Sequence, residues 1–238
     1  EIAKMGYKVY LVEKSGKLGG NAARLNIMQS GRDVNNYIDK YINEVLNNPL
    51  IKVYLNSEIK EIDGYVGKYS TTILSNDEEE QISHGVVIVA TGAEEYKPDE
   101  YLYKKDERVV TQLELEEILK NGINGNNDTN DNDNDYKNTY ESASTGNKKT
   151  NLKSKEIKNV VMIQCVGSRE GERDYCSRVC CAQAIKNAIL IKENNSNVNV
   201  AILYRDIRAY GMNELNYTIA RNKGVQFIRY EAEKKPEV

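Results

Sequence analysis

Apolar and polar positions alternate along this chain with two periods, and the switches between them outline its elements. Tyr7–Lys14 (YKVYLVEK) is a β-branched and aromatic run closed by an acid, as in the second strand of a βαβ unit. The preceding EIAKMG reads as the last turns of a helix stopped by Gly6, so a first strand and a Gly-rich turn are expected upstream. From Asp33 to Leu46, Val34, Tyr37, Ile38, Tyr41, Ile42 and Val45 recur at helical spacing, and Pro49 marks the exit. Strand-like alternation fills residues 51–65 and 67–76, and the acidic DEEEQ (77–81) reads as a charged turn. GVVIVATG (85–92) is apolar on both faces, which predicts a central, buried strand.

Residues 121–155 break the pattern. Ten are Asn and four are Asp, with almost nothing apolar to offset the entropy of ordering them, so a disordered insertion is expected. Periodicity resumes with the strand IKNVVMIQC, a turn region GSREGERDY and a helix from about Ser177 to Glu193. VNVAILY is a strand, MNELNYTIARNKG a helix closed by Gly224, and VQFIRY a further strand. This alternation over residues 158–230 is the signature of a parallel sheet covered by helices. The predicted fold class is therefore α/β, with two Rossmann-like dinucleotide-binding units: residues 1–118, incomplete without the first strand and its turn, and residues 157–238. The insertion occupies 119–156 between them.

Composition narrows the function. Lys and Arg number 33 against 36 Asp and Glu, giving a net charge of −3, with no basic excess for nucleic acid or anionic lipid. No apolar run approaches the roughly 18 residues of a membrane span, mean hydropathy is −0.66, and no signal peptide opens the chain. A soluble, cytoplasmic protein is expected. One His, His84, leaves little material for His-built zinc sites or a Ser/His/Asp triad.

Three segments carry a dinucleotide signal. Glu13, with Lys14 beside it, ends the strand where an acid accepts hydrogen bonds from the ribose hydroxyls of an adenosine half. The Gly-rich turn that normally lies about 20 residues earlier would fall before residue 1. Gly19 and Gly20 would let backbone approach a pyrophosphate or ribityl chain without a Cβ in the way. Ala90-Thr91-Gly92 closes the apolar strand, as in two-domain flavoproteins where the chain leaves the FAD domain past the cofactor. Each signal alone has a plainer reading, as a solvated strand end or a turn; their order and spacing favour FAD.

The four cysteines, Cys165, Cys176, Cys180 and Cys181, form C-x10-C-x3-C-C within 17 residues. Such clustering in a chain of cytosolic character points to metal rather than a disulfide framework. Cys165 is expected at the C-terminal end of a strand and the others at the next helix N-terminus, where a Rossmann domain normally holds a phosphate. Free amides and the helix dipole there favour thiolates, Ser177 is a candidate N-cap, and Arg169 and Arg178 add positive potential. Adjacent Cys180 and Cys181 diverge by about 100° on a helix, so both reach one centre only if it is broad. That favours a 4Fe-4S cluster; zinc, a thiol-disulfide pair and inert buried thiols remain the alternatives. Lys186 could project toward a flavin ring and stabilise its reduced, anionic form, or be a solvated helix lysine. Tyr204, Arg205, Asp206 and Arg208 occupy a loop at the functional edge of the sheet, able to dock a partner or form surface ion pairs.

IQCVGSRE, YCSRVCCAQAIKNA, ILYRDIRAYG and GVQFIRYEAEKKPEV together resemble the A-type subunit of heterodisulfide reductase and its relatives, the FAD and iron–sulfur flavoproteins of anaerobes. The resemblance implies a thioredoxin-reductase-like pair of nucleotide-binding domains carrying FAD. It implies a 4Fe-4S cluster on Cys165, Cys176, Cys180 and Cys181. It also implies an oligomeric complex in which partner redox subunits perform the heterodisulfide chemistry while this polypeptide passes electrons and, at the flavin, could bifurcate them. The chain departs from the family in its missing Gly-rich turn, its Asn-rich insertion and its lack of C-x2-C-x2-C sites. Two other functions stay open: an NAD(P)H-dependent disulfide reductase and a zinc-stapled docking module. CVGSREGERDYC stands where the reductase would need G-x-G-x-x-G.

Overall fold

A computed structural model describes residues 1–28, 33–124 and 157–238. The insertion expected over 119–156 therefore lies largely outside the described residues. Two units divide the described residues, one built from 1–28 and 33–94, the other from 95–124 and 157–238.

The first unit opens with a short 3-10 helix, Ala3–Met5, stopped by Gly6 at φ 88°. A chain reversal at that φ strains any residue with a Cβ, which is why glycine sits there. Strand β1 (Val9–Val12), helix α1 (Val34–Leu46) and strand β2 (Ile51–Tyr54) form a βαβ unit, with β1 and β2 parallel and Val9 opposite Ile51. Asp33 caps α1 by accepting from the amides of Asn35 and Asn36 at 2.7 and 3.3 Å.

An antiparallel meander follows: β3 (Ser57–Tyr65), β4 (Lys68–Ser75) and β5 (Glu78–His84). The charged turn expected at residues 77–81 is instead mostly strand. The reversal is confined to Asn76 and Asp77, both left-handed (φ 49° and 66°), as a two-residue hairpin turn requires. The acids that follow are exposed on alternate faces of β5, Glu79 pairing with Lys60 and Glu80 bonding Lys52 at 2.7 Å. Tyr54, Ile73 and Ile82 form the small core, with Tyr10 and Val12 against it.

The buried central strand expected at residues 85–92 is not present. Val86–Ala90 is irregular, and Val89 is 79% exposed. A strand apolar on both faces is buried only with hydrogen-bonded neighbours or helices on both sides. No described strand pairs with this run, so its side chains remain in solvent. The lone His84 is engaged within the meander: its ring lies 2.7 Å from Thr71 Oγ1 and 3.1 Å from the Val86 carbonyl, stacked on Tyr69.

The second unit follows the predicted alternation. Strands β6 (Asn159–Ile163), β7 (Asn199–Tyr204) and β8 (Gln226–Arg229) form a parallel sheet in that order, connected through α3 (Cys180–Asn194) and α4 (Asn213–Asn222). A further helix, α2 (Gln112–Asn124), packs on α3. Ile185, Ala188 and Ile191 of α3 meet Met162, Val200 and Ile202 of the sheet and Ala220 of α4, with Leu115 and Leu119 of α2 against them. Burial nearly all round α3 explains its Ala-rich sequence: small side chains let the sheet, α2 and α4 approach it together. Among the described residues no helix is long and apolar enough to cross a membrane.

Candidate functional site

A parallel sheet gathers the ends of its strands and the starts of its helices on one edge. In the second unit that edge collects the thiols. Gln164 continues β6 by donating its amide to the Leu203 carbonyl at 2.9 Å, and Cys165 follows at φ 64°. Non-glycine residues are left-handed at a cost of about 1–2 kcal/mol each. Three such residues, Cys165, Arg169 and Arg178, fall in this one segment. Strain of this kind is kept where the neighbours over-determine the backbone.

The neighbours here are specific. Ser168 donates its amide to the Cys165 carbonyl at 3.2 Å and its hydroxyl to the Tyr175 carbonyl at 2.6 Å. Arg169 and Arg173 close the turn between them, the Arg169 amide donating to the Arg173 carbonyl at 2.7 Å. Gly167 (φ 61°) presses against Tyr96, and the Arg173 guanidinium lies 4.5 Å from the centre of that ring. The Tyr230 hydroxyl donates to the Gln164 carbonyl at 2.5 Å, beneath the Cys165 loop. Burial, then the Cys165 sulfur, push its phenol up to about 12.

Cys180 and Cys181 open α3. The residue preceding them, Val179, makes no side-chain cap, so Ser177 is not the N-cap expected from sequence. Its hydroxyl instead bonds the Cys180 sulfur. Cys180 and Cys181 are hydrogen-bonded to each other, and they divide one proton unequally. The Cys181 bond, then Ser177 and the amides of the first turn, bring Cys180 down to about 6. Cys181 retains its proton, driven upward by that same bond and by burial. Its sulfur lies 3.6 Å from the Asp206 carbonyl and accepts from the Arg208 amide. Burial raises Cys165, against the opposing hydrogen bond from Arg169. Cys165 is the electrostatic neighbour of both Cys180 and Cys181, so these three thiols share one site. The Cys176 sulfur accepts from the Arg178 amide at 3.4 Å. All four are free thiols.

The chemistry of the donors, free thiols with Cys180 favoured as thiolate at amide-rich backbone, suits a sulfur-ligated group. Among the described residues no group of three or more His, Cys, Asp or Glu side chains is arranged to hold a metal ion.

Lys186 does not face solvent. It is 5% exposed and ion-paired with Glu116 of α2, which is fully buried, while the neighbouring Asn187 amide donates to Gln112 at 2.8 Å. Contact with a flavin would require that pair to open. Glu116 was missed by sequence reasoning because α2 was not recognised, although Leu113, Leu115 and Leu119 carry part of a helical pattern.

In the first unit, Glu13 Oε1 accepts from both the amide and the hydroxyl of Ser15 at 2.8 Å, leaving the second oxygen capacity for a ligand hydroxyl. Lys14 is exposed and paired with Glu58 at 2.9 Å. A Cβ on Gly19 (φ 112°) would meet Ala23 at 3.3 Å and Ile38 at 3.5 Å, so this glycine serves close packing on α1. Gly20 and Gly92 face open space, and Ala90 and Thr91 are exposed. Asn21, not singled out from sequence, joins the two expected cofactor segments: its Nδ2 donates to the Ala93 carbonyl at 2.7 Å.

An α/β chain with thiols gathered at the C-terminal edge of a Rossmann-like parallel sheet is the class this architecture defines. In sequence the chain is similar to A-type subunits of heterodisulfide reductases. It is 28% identical to the first A-type iron-sulfur subunit of the CoB–CoM heterodisulfide reductase of Methanopyrus kandleri, over 96% of the chain and 45% of that protein. It is 38% identical to the A-type subunit of the ferredoxin:CoB–CoM heterodisulfide reductase of Methanosarcina acetivorans, over 63% of the chain and 20% of that protein. The chain thus spans less than half the length of these relatives. No family model matches it. Among solved structures, a bacillithiol disulfide reductase from Bacillus cereus aligns over 96% of the chain and 62% of its own length, at 13% identity and TM-score 0.43, a likeness too loose to bear on function.

Proposed function

We propose that this chain is the FAD- and iron–sulfur-binding part of a heterodisulfide-reductase-A-like oxidoreductase, carrying electrons between a flavin, a 4Fe-4S cluster and partner redox subunits in a cytoplasmic complex. The observation that supports it best is the convergence of Cys165, Cys180 and Cys181 on one strained, amide-rich edge, with Cys176 in the same connecting segment. When bound, the flavin supplies two-electron exchange and the cluster one-electron exchange.

The residues of this chain supply position and charge. Ser177, the Arg208 amide and the Arg178 amide donate to sulfur, which favours thiolates and a negatively charged group on them. Glu13, Lys14, Gly19, Gly20, Ala90, Thr91 and Gly92 are the proposed FAD contacts, with the Asn21–Ala93 bond holding their two segments together. Lys186 enters this reading as a buried cation that anchors α2 to α3.

Anaerobic reconstitution with iron, sulfide and FAD tests the assignment. The expected product is brown, with about four iron and four sulfide per chain, and Cys180→Ser loses the iron while keeping its helical content. A colourless protein that takes up zinc instead would refute the cluster. An unchanged iron content in Cys180→Ser would refute the ligand assignment.

A further inference from the structure

We propose that Arg169, clasped by Asp206, is a positioning residue that raises the electron affinity of the group held at the four-thiol site. The inference rests on the cluster reading above and adds a residue outside the ligand set.

Four observations converge on this side chain. Its Nη2 is 2.7 Å from Asp206 Oδ2, so the guanidinium plane is fixed from the loop that follows β7. It is an electrostatic neighbour of the Cys165 thiol. Its Nη1 is buried and has no hydrogen-bond partner among the described residues. Its own backbone is left-handed (φ 63°) and anchored on both sides, the amide to the Arg173 carbonyl at 2.7 Å and the carbonyl accepting from Arg205 Nη1 at 3.3 Å.

A surface ion pair would explain the Asp206 contact alone. It would not explain a strained backbone that turns a guanidinium inward, nor an N–H withheld from water without an acceptor. Buried donors are nearly always satisfied, so an orphan beside a thiol site marks a place where the acceptor arrives with the ligand. Sulfur is that acceptor here. A cation donating to cluster or cysteine sulfur stabilises the reduced, more negative form over the oxidised one, because hydrogen bonds to sulfur and local net charge set the potential of such groups. One electron enters in this couple, and no bond is made or broken. Asp206 links the arrangement together: its side chain holds Arg169 toward Cys165, and its carbonyl touches Cys181.

The test uses the full chain reconstituted anaerobically with iron and sulfide, with EPR-monitored redox titration as the readout and iron content measured alongside. Arg169→Gln should load like wild type but have its reduced-to-oxidised ratio at fixed potential fall about tenfold, a midpoint lower by ~59 mV for one electron. Arg169→Lys, which keeps the cation, should recover part of that shift. If Arg169→Gln fails to load, Arg169→Lys decides, because it keeps the cation but loses the planar guanidinium clasped by Asp206 and should give a smaller lowering of the midpoint, whereas a midpoint equal to the wild type overturns the inference. A loaded Arg169→Gln within about twofold of the wild-type ratio overturns the inference while leaving the cluster reading intact. Failure of the wild-type chain to take up iron and sulfide overturns both.

Discussion

Gly167 offers a measurement of how tightly the Cys165 loop is built. Replacing it with Ala adds one methyl group and two penalties. The first is conformational: at φ 61° a residue with a Cβ costs about 1–2 kcal/mol. The second is steric, since the new Cβ would lie 2.0 Å from Tyr96 Cε1 and 2.5 Å from Cδ1. Ordinary contact begins near 3.4 Å, so the ring must retreat by more than an ångström or the loop must move. The ring is not free to retreat without loss, because the Arg173 guanidinium lies 4.5 Å from its centre. Overpacking of this kind costs about 1–3 kcal/mol, and the displaced cation–π contact about 0.5–1 kcal/mol.

The total expected for Gly167→Ala is about 2.5–6 kcal/mol. Gly171→Ala separates the two penalties. It has φ 54° but nothing within 4 Å of a Cβ, so it should cost only the conformational part, about 1–2 kcal/mol. Urea denaturation of the full chain followed by circular dichroism reads both. In a Tyr96→Ala background the steric part disappears, so the cost of Gly167→Ala should fall toward that of Gly171→Ala, leaving a coupling of about 1–3 kcal/mol. Equal costs for the two glycines in the wild-type background would refute the claim that Tyr96 seats this loop.

Other contacts give shorter tests. Lys186→Met alone strands the Glu116 carboxylate in the interior and should destabilise by about 3–5 kcal/mol, whereas Glu116→Leu with Lys186→Met should recover most of the loss in the same denaturation assay. Tyr230, pushed up to about 12 by burial, should ionise after the other tyrosines in an absorbance titration at alkaline pH. Its folded value lies above the unfolded one near 10, so its stabilising effect is complete below about pH 10 and declines as pH rises from about 10 to 12. Tyr230→Phe should remove that step, and a Tyr230 that titrates with the rest would contradict its burial. Val89→Ser should change stability by no more than about 0.5 kcal/mol, because the side chain is 79% exposed; a larger loss would show that the run is packed.

What could be read in advance divides along physical lines. Helices α1, α3 and α4 and strands β6 to β8 were legible because a buried stripe repeats with the element's own period, and burial follows the stripe. The boundary of α3 was not, since Ser177 has the chemistry of an N-cap but bonds a thiol instead, and the helix starts at Cys180. Residues 78–81 misled because acids are common in turns, yet exposed strand positions take them equally well when Lys52 and Lys60 are within reach. Val86–Ala90 misled for the converse reason: periodicity reports what a segment is able to bury, and burial needs a neighbour. In the site, the four cysteines and Arg169 were visible in the primary sequence. Tyr96, Glu116, Asn21 and Tyr230 were not, because each acts through one long-range contact that no local spacing encodes.

The distribution of those contacts bears on why this sheet edge carries thiols. Cys165 follows β6, Asp206 and Arg208 follow β7, Tyr230 follows β8, and Cys180 and Cys181 begin α3. Every strand of the parallel sheet therefore sends a group to the same edge, which is where such folds place anions, because helix N-termini and free amides point there. A phosphate would satisfy that edge with oxygen acceptors. Here the acceptors are sulfurs supplied by the chain itself, met by Ser177, Arg169 and the Arg178 and Arg208 amides. Left-handed residues at 165, 169 and 178 are the backbone adjustment this requires, since a Cys placed at a strand end must turn back to meet the helix. It follows that strain and donors should be lost together. A substitution that relaxes residue 165, Cys165→Gly, should stabilise the thiol-free loop while abolishing iron uptake.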